Sequence, residues 1–414
     1  MKLLRDILRH EADTEKMRER ARGADRACAI LTPIVPIAFN EADSWFGGKP
    51  KLPKDTSWPE QKGVPLHFVC QINLSRLPAG LWSGVGPRDG WLAVFFHPET
   101  HAPKVLHVRG EIEERDGPGQ MAAQWARTYA SYAVKAKMDL LPQWPVKIEE
   151  CHQVHLTHLG SVKFAPESLK DEKPDLANSA IHPFDADTLG VLLDSLEEFF
   201  IQQLKQMCRF PAMKKVRQDD LDWMLETKAL AFQGLEEFYK VEGILAPGKY
   251  NFDSGKVASE LPKIANLPTY EFNYLKDDED GYCCLEYRRS SLSELPVSSR
   301  SLPAWWERYN SRLYWQCGHA YTNDPGRLHP TLRERMERIW LHETQGFHGA
   351  MGHAPEGHIY TPHGPETDTE VLLELPTSRM QGWIWGDTYS IVLLIKRQAL
   401  SRGNFVDVIV DITN

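Results

Sequence analysis

The fold is decided in residues 45–74, which read WFGGKPKLPKDTSWPEQKGVPLHFVCQINL. Gly47 and Gly48 permit a tight turn, and Pro50, Pro53 and Pro59 fix φ and oppose both a helix and a central strand. From Leu66 to Leu74, apolar and polar residues alternate with the period of a half-buried strand. The sequence therefore predicts a stiff surface arm (residues 45–65) that leads into a core strand.

Two tryptophans, Trp45 and Trp58, are expected to pin this arm to the body of the protein. Large aromatic side chains usually serve packing, so the arm is a structural clasp in one interpretation and the lip of a binding cleft in the other. If it is a cleft edge, the candidate binding residues there and in the C-terminal region are Trp45, Trp58, Gln71, Asn73, Trp385 and Asp387.

Composition excludes several classes of protein. The chain has 414 residues, enough to bury a large core, and a formal net charge of −9. Because no basic excess exists to neutralise phosphates, nucleic-acid binding is not expected and a partner with a basic surface is favoured. The seven cysteines form no CxxC pair, and neither a signal peptide nor a membrane-spanning run is recognised. These features predict a cytoplasmic protein with reduced thiols and no membrane partner.

Hydrophobic periodicity divides the chain into four parts. An N-terminal helix is expected over residues 1–25, and β-rich segments follow over 26–150 and 341–414. Between them, residues 151–340 form an elaboration with a helical hairpin at about 186–245. The apolar faces of this hairpin either pack in the core or form an exposed groove for a partner.

The two β-rich parts echo each other. Leu66–Leu77 followed by Gly90–His97 has the outline strand, connection, strand, and so has Val371–Met380 followed by Thr388–Lys396. This echo would fit a duplicated β unit. The predicted fold class is α+β, with a β-rich core of mixed sheets, an N-terminal helix and a helical insertion.

Three blocks of sequence resemble one known family. They are residues 45–74, the block with His348, Met351, Gly352 and His353, and the ending from Trp385 to Phe405. Together they are similar to the YwqG-like family, a bacterial family of undetermined biochemical function. After His353 the chain departs from the family pattern of a closely following proline and then glutamine, since it carries Ala354, Pro355 and Glu356.

The resemblance implies a mixed α and β architecture with a β-rich centre, and it carries over no catalytic residue. Proteins of this type are encountered near bacterial toxin systems. The resemblance, the acidic charge and the absence of nucleophile-elbow or phosphate-loop motifs favour a non-enzymatic immunity-type protein. Such a protein would bind a toxin or effector with a basic surface and occlude it, without a cofactor.

A metal-dependent enzyme is the alternative. Residues 342–363 contain five histidines, where even spacing would give about one. Steps of five or six residues do not converge on a helix or a strand, but the many glycines and prolines here make a folded loop. His348, His353 and His358 could then bind zinc or another divalent transition metal, with Asp387 or Glu356 as a base. Otherwise these are loop histidines with hydrogen-bonding roles.

Overall fold

A computed structural model describes residues 27–38, 43–118, 141–152, 172–181, 183–246, 254–295, 304–346, 348–352, 368–383, 385 and 390–412. The helix expected over residues 1–25 lies outside these ranges. The chain divides into two compact units. The first comprises Met1–Ser131, Ala136–Ala165 and Trp340–Asn414, and the second comprises Tyr132–Lys135 and Pro166–Ile339.

Strands in the described residues are numbered in chain order. They are β1 (Ala27–Pro33), β2 (Trp45–Phe46), β3 (Lys51–Leu52), β4 (Glu60–Gln61), β5 (Val64–Pro65), β6 (His67–Asn73), β7 (Trp91–Phe96), β8 (Pro103–Val108), β9 (Glu113–Glu114), β10 (Trp144–His152), β11 (Pro268–Asp277), β12 (Cys283–Ser291), β13 (Gly349–Met351), β14 (Thr369–Pro376), β15 (Ser390–Lys396) and β16 (Ile409–Ile412).

Helices in the described residues are α1 (Ala186–Met213), α2 (Gln218–Leu245), α3 (Ser254–Ala265), α4 (Trp305–Asn323), α5 (Pro330–Gly346) and α6 (Arg397–Ser401). Short 3-10 turns occupy Leu74–Arg76, Leu81–Gly84 and Pro325–Arg327. The α+β class with a β-rich core, predicted from sequence, is confirmed.

Ten strands of the first unit form one sheet, in the order β16-β15-β14-β13-β1-β10-β2-β6-β7-β8. Every pairing in it is antiparallel, and so are the pairings of the three two-stranded sheets β3-β9, β4-β5 and β11-β12. The expectation of mixed sheets therefore differs from the described structure. The hairpins β6-β7, β7-β8 and β14-β15 follow the chain directly, which favours antiparallel pairing over a crossover.

The sheet has two similar halves on either side of the β1-β10 pair. One half runs β2-β6-β7-β8, the other runs β13-β14-β15-β16, and each begins with a short strand. The long strand β1 precedes the first half in the chain but pairs with β13 of the second half. The long strand β10 follows the first half in the chain and pairs with β2 of that half. This arrangement is the structural counterpart of the echo in the sequence.

An irregularity in register falls at the same place in both halves. It lies between Phe68 and Cys70 in the pairing of β6 with β7, and between Val371 and Leu373 in that of β14 with β15. Counting one residue beyond the irregularity on each strand reaches Gln71 in the first half and Glu374 in the second. These two residues are therefore structural equivalents.

The two faces of the first half bury different clusters. The inner core, which includes Phe46, Ile72, Val94 and Phe96, continues into the second half through Leu373, Trp383, Trp385, Ile391 and Leu393. The outer core lies on the opposite face and comprises Trp45, Leu52, Leu66, Phe68, Ala93, Phe95 and Val108. Neighbouring residues of β7 alternate between the two clusters, as the pleat of a strand requires. In β6 the register irregularity interrupts this alternation, and Val69 and Cys70 both lie in the inner core.

The second unit is built from helices and the β11-β12 hairpin. Helix α1 begins with a capping box, in which the Asp185 carboxylate accepts from the Thr188 N–H at 2.7 Å. Helices α1 and α2 span the residues expected as a hairpin, and Phe200 contacts Phe238 with ring centroids 5.6 Å apart. On both helices, apolar residues at steps of three and four lie on the buried face.

Candidate functional site

Both tryptophans of the arm take part in packing. Trp45 is 6% exposed and lies in the outer core, and its Nε1 donates to the Lys49 carbonyl at 3.1 Å. Trp58 packs edge-on against Phe95 at 5.5 Å, and its Nε1 donates to the Leu66 carbonyl at 2.9 Å. Their apolar surfaces and their N–H groups are thus used within the first half of the sheet.

The polar candidates Gln71 and Asn73 hold backbone in place. Gln71 is fully buried, and its side chain accepts from the Lys51 N–H at 2.9 Å and donates to the Lys51 carbonyl at 3.0 Å. The Asn73 side chain donates to Asp43 at 2.7 Å and accepts from the Ser75 N–H at 2.9 Å. Gln71 therefore gives β3 of the arm one accepted and one donated bond, as a buried amide requires.

Trp385 belongs to the inner core. It is fully buried and packs against Phe96 and Trp383, with ring centroids 5.4 and 5.8 Å away. Its backbone N–H donates to Thr377 Oγ1 at 2.8 Å. Asp387 lies outside the described residues.

The histidine-rich loop is described only at its start. Burial lowers the pKa of His348. His353 and His358 lie outside the described residues. Across the ranges that the structure does describe, no group of three or more histidines, cysteines, aspartates or glutamates is arranged to hold a metal ion. The metal-dependent alternative stays a prediction.

Sequence reasoning missed Glu374, the equivalent of Gln71 in the second half of the sheet. Burial raises its pKa from the usual value of 4.5 to about 8, although a hydrogen bond from Ser390 Oγ, 3.0 Å away, favours the ionised form. The carboxyl is therefore neutral at pH 7 and can donate as well as accept. The echo between the two hairpins pointed to this region, but only the register of the strands aligns the acid with the amide.

Three histidines at the end of the β6-β7 hairpin were also missed. Burial, followed by the neighbouring His97, lowers the pKa of His67 to about 4, and the same two causes lower the pKa of His101. His97 Nδ1 accepts from the N–H groups of Glu99 and Thr100, at 3.2 and 3.3 Å. His97 thus caps the turn between β7 and β8, which is a structural task.

Helix α2 in the second unit has two apolar faces, of which one is buried. Met224, Ala231, Leu235 and Phe238 lie on the buried face, at helical spacing. On the other face, Leu225, Phe232 and Tyr239 are 65%, 49% and 42% exposed. These three residues form the exposed stripe of α2, in which each is seven positions from the next.

Acidic residues surround the exposed stripe. Helix α2 contains seven carboxylates and two lysines, and its first turn carries Asp219 and Asp220, which suit the positive end of the helix dipole. The Tyr239 hydroxyl donates to Glu197 of α1 at 2.7 Å, and this bond is the main cause that raises its pKa to about 12. Exposed aromatic residues rimmed by polar groups are typical of a protein-binding surface.

Comparisons with known proteins bear on the first unit. Residues 44–178 match the model of a domain of unknown function, DUF1963. The matched segment contains the arm and strands β2 to β10, and it ends before α1. A search of the curated proteins finds no match.

Residues 44–178 are therefore similar to a domain family of unknown function, and this similarity assigns no activity. Of the described helices, none is both long enough and apolar enough to cross a membrane.

Proposed function

We propose that this chain is a non-enzymatic protein-binding protein of the immunity type. It binds a bacterial toxin or effector and neutralises it by covering the surface that the toxin needs for its activity. The observation that carries the proposal is the exposed stripe of α2, with Leu225, Phe232 and Tyr239 in one line. Aromatic anchors of this kind supply most of the affinity at protein interfaces.

The charge around the stripe favours a basic partner. Helix α2 has five more carboxylates than lysines, from seven minus two, and the whole chain has a net charge of −9. Opposite charges steer encounter and reject wrong partners, while the buried aromatic anchors hold the complex together. The proposal invokes no cofactor, no nucleic acid and no membrane.

The proposal places the chain in the YwqG-like family and in the bacterial cytoplasm. The resemblance of residues 45–74 supports the family, and the match of residues 44–178 to a domain of unknown function is consistent with it. Cys70, Cys208, Cys283, Cys284 and Cys317 form no disulfide, which fits a reducing compartment.

Affinity capture tests the binding surface. The tagged chain, Phe232→Glu and the control Ile409→Glu are used as baits in lysate of the source organism, because Ile409 is also 50% exposed but lies in the first unit. Wild type and Ile409→Glu should retain one stoichiometric basic protein. Phe232→Glu should retain at least about tenfold less of this protein, since a carboxylate replaces an aromatic anchor. Equal retention by all three baits would contradict the proposed surface.

Co-expression tests neutralisation. The captured partner expressed alone should slow growth, and wild type expressed with it should restore growth. Phe232→Glu should fail to restore growth although it folds with an unchanged circular dichroism spectrum. A partner that is harmless when expressed alone would remove the toxin from the proposal and leave only the binding.

A further inference from the structure

Spacing along the exposed stripe of α2 fits one kind of secondary structure in the partner. Steps of seven residues at 1.5 Å each place Leu225, Phe232 and Tyr239 about 10.5 Å apart in an almost straight line. An extended strand repeats its same-face side chains every ~6.6 Å and falls out of step with this line. A facing helix with a seven-residue repeat stays in step with it.

One small residue lies between two of the large ones, and a second lies beyond the last. Ala229 follows Leu225 by four positions, Gly243 follows Tyr239 by four positions, and both are exposed. On a helix, a step of four lands on the same face, so these residues leave hollows along the stripe. Side chains of a facing helix can enter such hollows as knobs enter holes.

Acidic residues lie at and beside the stripe. Asp222 and Glu226 project to the same side of it by helical geometry, and Glu236 stands in the gap between Phe232 and Tyr239. Within the part of the chain that the structure describes, none of these three carboxylates forms an ion pair. By contrast, Glu237 is paired with Lys240.

We propose that the occupant of the exposed stripe is a single amphipathic helix of the partner. It carries an apolar side chain at every seventh position and lysines or arginines along the side that meets Asp222 and Glu226. This inference rests on the proposed function and names the class of partner segment that the surface takes. Helix-in-groove recognition through anchors at helical spacing is a general mode of peptide binding.

A synthetic peptide tests the inference on the full-length protein. The probe is a 21-residue helix with leucine at every seventh position and lysine beside each leucine, titrated by calorimetry. Wild type and Ile409→Glu should bind it with one-to-one stoichiometry. Phe232→Glu should weaken binding at least about tenfold, because the central anchor is lost.

A peptide with reversed charge is the matched control in this test. A second peptide, with glutamate in place of each lysine, should bind wild type at least about tenfold more weakly than the lysine peptide does. Asp222→Lys combined with Glu226→Lys should invert this preference, since the cations then stand on the protein. An unchanged preference would show that these carboxylates do not face the peptide and would overturn the inference.

The outcomes separate the inference from the proposed function. If the lysine peptide does not bind, or binds Phe232→Glu as well as wild type, the helical occupant is refuted. If affinity capture still loses its partner with Phe232→Glu, the binding surface stands and its occupant has another structure. If neither experiment responds to Phe232→Glu, both proposals fail together.

Discussion

The arm over the first half of the sheet and the exposed stripe of α2 both contain aromatic side chains, but they differ in how much aromatic surface is exposed for binding a partner. Trp45 is buried in the outer core, and its N–H is bonded to the arm's own backbone. Phe232 is half exposed on a helix whose buried face already packs against its neighbours. The aromatic residues of the arm are used in packing and hydrogen bonds within the arm and the sheet, whereas the exposed ring surface of Phe232 can still bind a partner.

The largest contrast is expected in stability. Trp45→Ala should lower the free energy of unfolding by about 3 to 5 kcal/mol, because it leaves a cavity in the outer core. Phe232→Ala should change it by no more than about 0.5 kcal/mol, since a half-exposed side chain leaves no cavity. Urea unfolding followed by circular dichroism measures both changes. A Phe232→Ala variant as unstable as Trp45→Ala would show that the stripe is part of a core.

A smaller difference in stability is expected between substitutions at two glutamines. Gln71→Leu should cost about 2 kcal/mol, because it leaves the N–H and the carbonyl of Lys51 without their side-chain partner. Gln233→Leu, on the exposed side of α2, serves as the control and should change stability by about 0.5 kcal/mol or less. The same urea titration applies. Equal effects would mean that the bonds of Gln71 do not hold the arm.

Gln71 and Glu374 extend the comparison to the two halves of the sheet. In the folded chain the pKa of Glu374 is about 8, above the usual value of 4.5. Below pH 4.5 the group is protonated in the folded and the unfolded state alike, and its contribution to stability is fully present. As the pH rises through 8, the unfolded chain releases this proton first, so the contribution is progressively lost.

Glu374→Gln, which copies the residue of the first half, should abolish this loss. The variant should exceed wild type in stability at pH 7 by about 3 kcal/mol, with the difference growing up to about pH 8 and vanishing near pH 4. Unfolding titrations at several pH values measure it. Glu236→Gln, at an exposed carboxylate, controls for the change in net charge. A difference that is independent of pH would contradict the assigned ionisation.

The sheet was predictable where the chain alternates and less so elsewhere. Alternation over Leu66–Leu74 predicted β6 to within one residue at either end. The strand β1 ends at Pro33, although apolar residues follow at Ile34, Val35 and Ile37. Pro33 and Pro36 explain this end, because proline cannot donate to a strand ladder.

The candidate surface could not be located from the sequence. The apolar residues of α2, from Leu221 to Tyr239, occur at steps of three, four and seven, so buried and exposed positions overlap in one pattern. Only the packing of α1, α3 and β11 against one face of α2 separates Phe238, which is buried, from Tyr239, which is not. The raised pKa of Glu374 could not be predicted from the sequence either, because it depends on the residues that exclude water from the carboxyl group.

The most direct measurement compares the arm and the stripe within one experiment. A photo-reactive phenylalanine analogue is placed at Phe232 in one variant and at Trp58 in another, and each is irradiated in cells of the source organism. We expect a covalent adduct with one basic protein from position 232 and none from position 58. An adduct from position 58 alone would contradict the proposed surface and assign partner binding to the arm.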